Sequence, residues 1–250
     1  MMWLLHRPEP MKPVEDLTRA SQMLRLTWEC VANGSWVSGI IIEGLGLSEG
    51  AIGLKSRDFV GRLRMITEAV REYVFNECRS SRNALGSGFL GEHLAVVVEY
   101  GGMLAGTLTA DLEIVELAAW LHDIAPVQDI AALPRHPGLG VEIARTLLQG
   151  NCYPSERVER VSRCILSHSV PVQIGGGAPE DVCLSNADAM SLIARPTYWL
   201  YFVFKVRQLG FEEGRAWLLR RVESNWAALI QPARDIIQEE YRRTKALLES

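Results

Sequence analysis

From about residue 57 to the end of the chain, apolar residues recur at intervals of three and four positions. This periodicity limits the fold more than any other feature, and Phe59, Leu63, Ile66 and Val70 give its first example. Such spacing places apolar side chains on one face of an α-helix, whereas a half-buried strand needs strict alternation. No convincing alternation occurs in this part of the chain, so the sequence predicts an all-α fold.

The helical region is preceded by a segment that is harder to interpret. The chain has 250 residues, 48% of them hydrophobic, which suits one large domain or one domain with an appendage. Residues 1–55 have an irregular, proline-containing start, a segment at 14–31 whose apolar spacing could form a helix, and no clean period over 35–53. We therefore predict an irregular N-terminal extension over 1–55, to which we assign no function beyond packing or dimerisation, and a helical domain over 56–250.

Glycine, proline and capping residues divide the helical domain into separate helices. The central helix is expected to start near Thr109 or Asp111, either of which is a suitable N-cap, and Pro126 and Pro134 are expected to break the chain after it. Further helices are predicted at about 57–79, 89–108, 138–149, 154–169, 180–194, 198–209, 212–226 and 232–248.

Charge and cysteine usage exclude several classes of protein. A formal charge of -4 argues against an extended nucleic-acid-binding surface, although it permits a local phosphate pocket. No apolar run is long enough for a membrane span, and the apolar start ends at once in 6–10, which excludes a signal peptide. The five cysteines lack CxxC spacing and indicate reduced thiols in a cytoplasmic protein.

The central helix ends in an adjacent histidine and aspartate, His122 and Asp123. Val115, Ala118 and Ala119 precede His122 by seven, four and three residues, so His122 belongs to the apolar stripe of this helix. A histidine and a carboxylate at the end of a buried helix are a weak signal alone. The chain has only five histidines, however, and three of the others lie on or beside neighbouring predicted helices.

Those other polar residues also lie on apolar faces. His93 shares a face with Val96, His168 with Ile165, and Asp188 lies between two leucines at a spacing of four. Individually, His93 and His168 could be hydrogen-bonded or favoured by a helix end, His136 could be a cap, and Asp188 could be a salt-bridge partner. Together they would bury uncompensated carboxylates, which a divalent metal ion stabilises directly.

The order of these residues resembles the HD-domain superfamily of metal-dependent phosphohydrolases. The resemblance covers about residues 57–200. It is carried by Gly91–Leu94, Ala118–Ile124, His136–Gly140, Ser167–Ser169 and Ser185–Met190.

The resemblance implies a fold, a metal site and an activity. The fold would be an HD-domain helical bundle with extra C-terminal helices. One divalent ion (Fe, Mn, Zn, Ni, Co or Mg) would be held by four of the residues, and a second ion by two more. Asp123 would be the catalytic residue, orienting water that cleaves a phosphomonoester or phosphoanhydride of a nucleotide or another small phosphorylated molecule. The implied ligands are His93, His122, Asp123 and Asp188 for the first ion, and His136 and His168 for the second.

Substrate recognition and the reaction itself stay open at this point. Arg135, Arg195 and Lys205 are candidate phosphate-binding cations by sequence proximity, although each could be a solvated surface charge. Many relatives carry a glycine, lysine or glutamate shortly after the His-Asp pair, whereas residues 124–129 of this chain contain none of the three. Asp129, at the end of this segment, is a candidate acid or outer-shell base. The alternatives are a regulatory module that binds metal or nucleotide without turnover, and a di-iron HD-type oxygenase. A homodimer also remains open.

Overall fold

The computed structural model describes residues 66–250, and within this range every regular element is helical. The prediction of an all-α fold is confirmed for these residues. The predicted extension, residues 1–55, lies outside them. Between the α-helices of residues 66–250 lie two π-helical turns, Leu90–Leu94 and Phe202–Val206, and one 3-10 helix, Ile130–Arg135. In chain order the helices are α1 (66–79 of the described residues), α2 (Ala95–Leu108), α3 (Leu112–Leu121), α4 (Ile124–Gln128), α5 (His136–Gly150), α6 (Ser155–Ser167), α7 (Pro179–Ala194), α8 (Pro196–Tyr201), α9 (Phe211–Ala228) and α10 (Gln231–Glu249).

Helix α3 is the buried centre of the bundle. Its start is fixed by Asp111, whose carboxylate accepts a hydrogen bond from the Ile114 N–H at 3.4 Å. Thr109, the other predicted cap, instead ends α2 with a left-handed backbone (φ 54°). From Ile114 to Leu121 every residue except Glu116 is buried, so the helix is enclosed on almost all sides.

Helix α7 connects two hydrophobic clusters. The first cluster joins α3 to α1, α5 and α6, and Leu184 and Ala187 of α7 belong to it. The second joins α7 to α9 and α10 through residues such as Met190 and Ile193. The predicted C-terminal helices therefore bury their apolar faces against the back of α7. This packing fixes the position of α7 relative to α3, and both helices carry candidate ligands.

Ion pairs join the outer ends of the same helices. Arg157 and Arg160 of α6 each lie 3.0–3.1 Å from the Asp111 carboxylate, and Arg160 also lies 2.9 Å from Glu180 of α7. All four side chains are at least partly buried. Because several such charges form one network, they hold α6 against the starts of α3 and α7 more effectively than isolated surface pairs would.

Prolines do not break the chain where the sequence predicted. Pro126 lies inside α4 and Pro134 inside the 3-10 helix, so the predicted breaks are wrong. Pro134 is the fifth of the six residues of its short 3-10 helix, one residue before the end. Pro126 lies in the first turn of α4, where N–H groups have no partner within the helix and proline is tolerated. For the same reason α5 begins at His136, two residues before its predicted start, with Pro137 in its first turn.

Among residues 66–250, no helix is both long and apolar enough to cross a membrane. The cysteines of this range, Cys78, Cys152, Cys164 and Cys183, are free thiols. Cys30 lies outside the described residues.

Candidate metal centre

Six candidate ligands come from five places in the bundle and meet at the end of α3. His93 lies on the π-helical turn before α2, which is notable because π-helical turns often occur at functional sites. His136 is the first residue of α5, and His168 directly follows α6. Asp188 is on α7. At the end of α3, His122 is followed by Asp123, whose backbone leaves the helical conformation (φ -112°, ψ 20°) and begins α4.

The first group consists of His93, His122, Asp123 and Asp188. The two imidazole Nε2 atoms are 3.1 Å apart. Oδ2 of Asp123 lies 3.4 and 3.5 Å from the Nε2 atoms of His93 and His122, and Oδ1 of Asp188 lies 3.6 and 3.8 Å from them. Ligand atoms that share one ion at about 2.0–2.2 Å are separated by roughly 3–3.6 Å, so the atoms of His93, His122 and Asp123 are spaced as ligands of one ion would be, and Asp188 lies slightly further out.

The second group uses the other oxygen of the same aspartate. Nε2 of His136 and Nε2 of His168 are 3.0 Å apart. Oδ1 of Asp123 lies 3.3 Å from the former and 3.8 Å from the latter. Each oxygen of Asp123 therefore faces a different pair of histidines. A carboxylate in this arrangement can bridge two cations.

The protonation of the histidines follows from their other ring nitrogens. Nδ1 of His122, His136 and His168 lies 2.6–2.8 Å from a backbone carbonyl oxygen three residues earlier in the chain. A carbonyl oxygen only accepts, so Nδ1 carries the proton in each ring and Nε2 presents its lone pair when the ring is neutral. This is the tautomer that binds a metal through Nε2.

The arrangement is suited to a cation. Where neutral His136 and His168 face each other through Nε2 at 3.0 Å, neither has a proton to donate to the other. Oδ1 of Asp123 is also buried without a hydrogen-bond partner. Buried lone pairs with no donor are costly, and a divalent ion that accepts nitrogen and oxygen ligands compensates them. The side chains present therefore fit one or two divalent ions.

Three of the six ligands are buried and the other three are partly exposed to solvent. The side chains of His93, His122 and His168 are at most 2% exposed, whereas those of Asp123, His136 and Asp188 are 15%, 18% and 28% exposed. The three buried imidazoles form the floor of the site. A substrate would approach from the side of the three more exposed ligands.

Burial also sets the charge of the ligands. It lowers the pKa of His122 to about 4, against the opposing effect of the nearby Asp123 and Asp188 carboxylates. Burial alone would raise the pKa of Asp123, but the neighbouring imidazoles outweigh it and hold that pKa below its usual range. At neutral pH the pair is thus a neutral imidazole and a carboxylate, the protonation states that metal binding needs.

The lowered pKa of His122 predicts a pH-dependent stability for the metal-free protein. The unfolded state has a histidine pKa near 6.5 and therefore binds more protons than the folded state between pH 6.5 and 4. The contribution of His122 to stability should be complete above pH 6.5 and be lost as the pH falls towards 4. Urea unfolding of chelator-treated wild type and His122→Gln at several pH values measures it. As the pH falls, the free energy of unfolding of the wild type should decrease relative to that of His122→Gln. A difference between the two proteins that does not change with pH would contradict the lowered pKa of His122.

The predicted phosphate-binding cations lie outside the cluster of six. Arg135, Arg195 and Lys205 are exposed, and Arg195 lies 4.0 Å from the carboxylate of Glu92. Their role in substrate binding stays a prediction. Asp129, the candidate acid, is exposed and accepts a hydrogen bond from the Ala131 N–H at 2.9 Å, so its position is that of a cap on the 3-10 helix.

One residue of the site was missed in the sequence. Ser191 is fully buried, and its hydroxyl lies 2.8 Å from Nδ1 of His93. It follows Asp188 by three residues and so shares its face of α7, which is the signal that could have identified it.

Comparison with known proteins identifies this part of the chain. The family model for the HD domain matches residues 90–193, a segment that contains all six candidate ligands and Ser191. A solved structure, the crystal structure of a predicted HD superfamily hydrolase from an uncultured Thermotogales bacterium, aligns with 71% of this chain and 92% of its own, at 24% identity and a TM-score of 0.42. Similarity at this level does not extend that protein's activity to this chain. No curated protein matches the chain.

Proposed function

We propose that this protein, which belongs to the HD-domain superfamily through residues 90–193, is a metal-dependent phosphohydrolase. Its substrate would be a phosphomonoester or phosphoanhydride of a nucleotide or another small phosphorylated molecule. The observation that carries the proposal is the position of Asp123, whose two oxygens face two separate pairs of imidazole Nε2 atoms at 3.3–3.8 Å. Two adjacent cation sites that share a carboxylate suit the displacement of an oxygen from phosphorus.

The ligand set narrows the choice of metal. Four imidazoles and two carboxylates are better suited to Fe, Mn, Zn, Ni or Co than to Mg, which prefers oxygen ligands and retained waters. His93, His122, Asp123 and Asp188 would hold the first ion, and Asp123, His136 and His168 the second. When bound, such ions lower the pKa of a water molecule towards about 7 and polarise a phosphoryl oxygen.

The side chains of this protein prepare the hydrolysis in two ways. The three buried histidines exclude bulk water from one side, so water and substrate enter past Asp123, His136 and Asp188. Asp123 stays ionised, so besides holding the ions its carboxylate can accept a hydrogen bond from the attacking water. The water oxygen then bonds to phosphorus, the bond from phosphorus to the leaving oxygen breaks, and the proton that the water loses ends on the leaving group.

Two exposed arginines are candidates for binding a phosphate. Arg195 is the C-cap residue of α7, the helix that carries Asp188. Its present partner is the half-exposed Glu92 at 4.0 Å, a loose pair that a phosphate could replace. Arg135 directly precedes His136 at the open side of the site. Lys205, on the π-helical turn after α8, is the third candidate.

The function is tested by metal analysis and a substrate screen. The purified protein should contain a transition metal and release phosphate or a nucleoside product from a panel of nucleoside mono-, di- and triphosphates and dinucleotides. The double variant His122→Ala, Asp123→Ala should lose both metal and activity. Activity retained after the metal has been stripped would contradict the proposal. Two irons with oxygen-dependent turnover would instead favour an oxygenase, and bound metal with no hydrolysis a regulatory module.

A further inference from the structure

His93 differs from the other three histidines in how its Nδ1 atom is held. The Nδ1 atoms of His122, His136 and His168 each donate to the carbonyl three residues earlier. For His93 the equivalent carbonyl is that of Leu90. In the π-helical turn this carbonyl accepts the N–H of Ala95, and Nδ1 of His93 is paired with a side chain from another helix.

That partner is Ser191 of α7. Its Oγ lies 2.8 Å from Nδ1 of His93 and 3.0 Å from the carbonyl oxygen of Asp188. The hydroxyl has one hydrogen, and the carbonyl can only accept, so the hydrogen is committed to Asp188. Oγ must then accept from His93, which places the ring proton on Nδ1 and leaves Nε2 as the lone-pair atom that faces His122 and Asp123.

We propose that Ser191 is a positioning residue that fixes the tautomer and the ring orientation of His93 for binding the first metal ion. Its hydroxyl takes the place of the Leu90 carbonyl, which already accepts the N–H of Ala95 in the π-helical turn. It also links the ligand of the turn before α2 to the backbone of Asp188, the ligand on α7. This inference rests on the proposed metal site, and it concerns only the first ion, because the histidines of the second group use backbone carbonyls.

The first test needs no variant. Long-range ¹H–¹⁵N spectra of the metal-free wild-type protein with labelled histidines should show His93 with its proton on Nδ1. A His93 protonated on Nε2 would overturn the proposal. This measurement is made without metal, so it decides the role of Ser191 even if the proposed function fails.

The second test removes the hydroxyl. In Ser191→Ala the fraction of His93 protonated on Nε2 should rise. Calorimetric titration with Co²⁺ should show the affinity of the first site falling by about 10–100-fold, as for other outer partners of metal-binding histidines, with the second site unchanged. Unchanged tautomer and unchanged Co²⁺ affinity would overturn the proposal. A wild-type protein that binds no Co²⁺ would count against the proposed function instead.

Ser162 provides a matched control. It is also a buried serine, 2% exposed, and its Oγ has no hydrogen-bond partner. Ser162→Ala should leave both Co²⁺ affinities and the His93 tautomer unchanged, since its hydroxyl satisfies no donor. If Ser191→Ala does not fold, Ser191→Cys keeps the volume with a weaker acceptor, and it should shift the tautomer and the first-site affinity in the same direction. Equal effects of the Ser162 and Ser191 variants would overturn the proposal.

Discussion

An Asp123→Ala variant is expected to bind neither metal ion and to lose phosphohydrolase activity by a factor of at least about 10³, or about 4 kcal/mol of transition-state stabilisation. Of the two site carboxylates, Asp123 approaches both groups of histidines, with Oδ2 at 3.4–3.5 Å from the first and Oδ1 at 3.3–3.8 Å from the second. Its removal leaves the second pair of histidines with no carboxylate and the first pair with only Asp188, at 3.6 and 3.8 Å, to balance the charge of an ion.

A second variant separates the two sites. His136→Ala removes one of the two histidines of the second group and leaves the first group complete. It should therefore reduce the metal content by one ion per chain, whereas Asp123→Ala should reduce it by two. Metal analysis of the dialysed proteins by mass spectrometry measures both numbers. Equal metal loss in the two variants would contradict the bridging position of Asp123.

Asp129→Ala is the matched control for this comparison. Asp129 is six residues further along the chain, exposed, and it caps the 3-10 helix through the Ala131 N–H. Losing that cap should cost about 1 kcal/mol of stability and no metal. A loss of metal or of most activity in Asp129→Ala would show that the acid suggested by the sequence takes part in the site.

The sequence predicted the helices and the inward direction of the ligands because both follow from local spacing. His122 lies on the buried stripe of α3, and Asp188 lies between apolar residues of α7, so their burial can be inferred within a single helix. The same reasoning fails at Pro126 and Pro134, because the first turn of α4 accommodates Pro126 and a short 3-10 helix contains Pro134 near its end. It also overlooks the π-helical turn at His93, which depends on packing around the turn.

The distances between groups could not be predicted in this way. That Asp123 presents one oxygen to each pair of histidines depends on the angle at which α3 ends and α4 begins. The role of Ser191 is equally hard to predict. Its spacing from Asp188 shows that the two residues share a face of α7, but not that His93 packs against this face. Cations such as Arg195 are the least constrained, because long exposed side chains have no fixed partner in a sequence pattern.

A Gly140→Leu variant is expected to lose about 1–3 kcal/mol of stability and to bind the second metal ion more weakly. A Cβ atom at this position would lie 3.3 Å from the carbonyl oxygen of His122 and 3.4 Å from Cγ2 of Ile165. The backbone of α5 therefore approaches the end of α3 at this glycine. A larger side chain must push α5 away, and His136, one turn earlier on the same helix, would move with it from Asp123.

Gly138→Leu is the control for this effect, because a Cβ atom at Gly138 would meet nothing within 4 Å. The same substitution there should change stability by no more than the gain of about 0.5–1 kcal/mol from replacing glycine in a helix. Urea unfolding and Co²⁺ titration of both variants give the comparison. The first site should keep its affinity in each, since none of its ligands lies on α5. If Gly140→Leu matched Gly138→Leu in stability and in second-site affinity, the close approach of α5 to α3 would not be what positions His136.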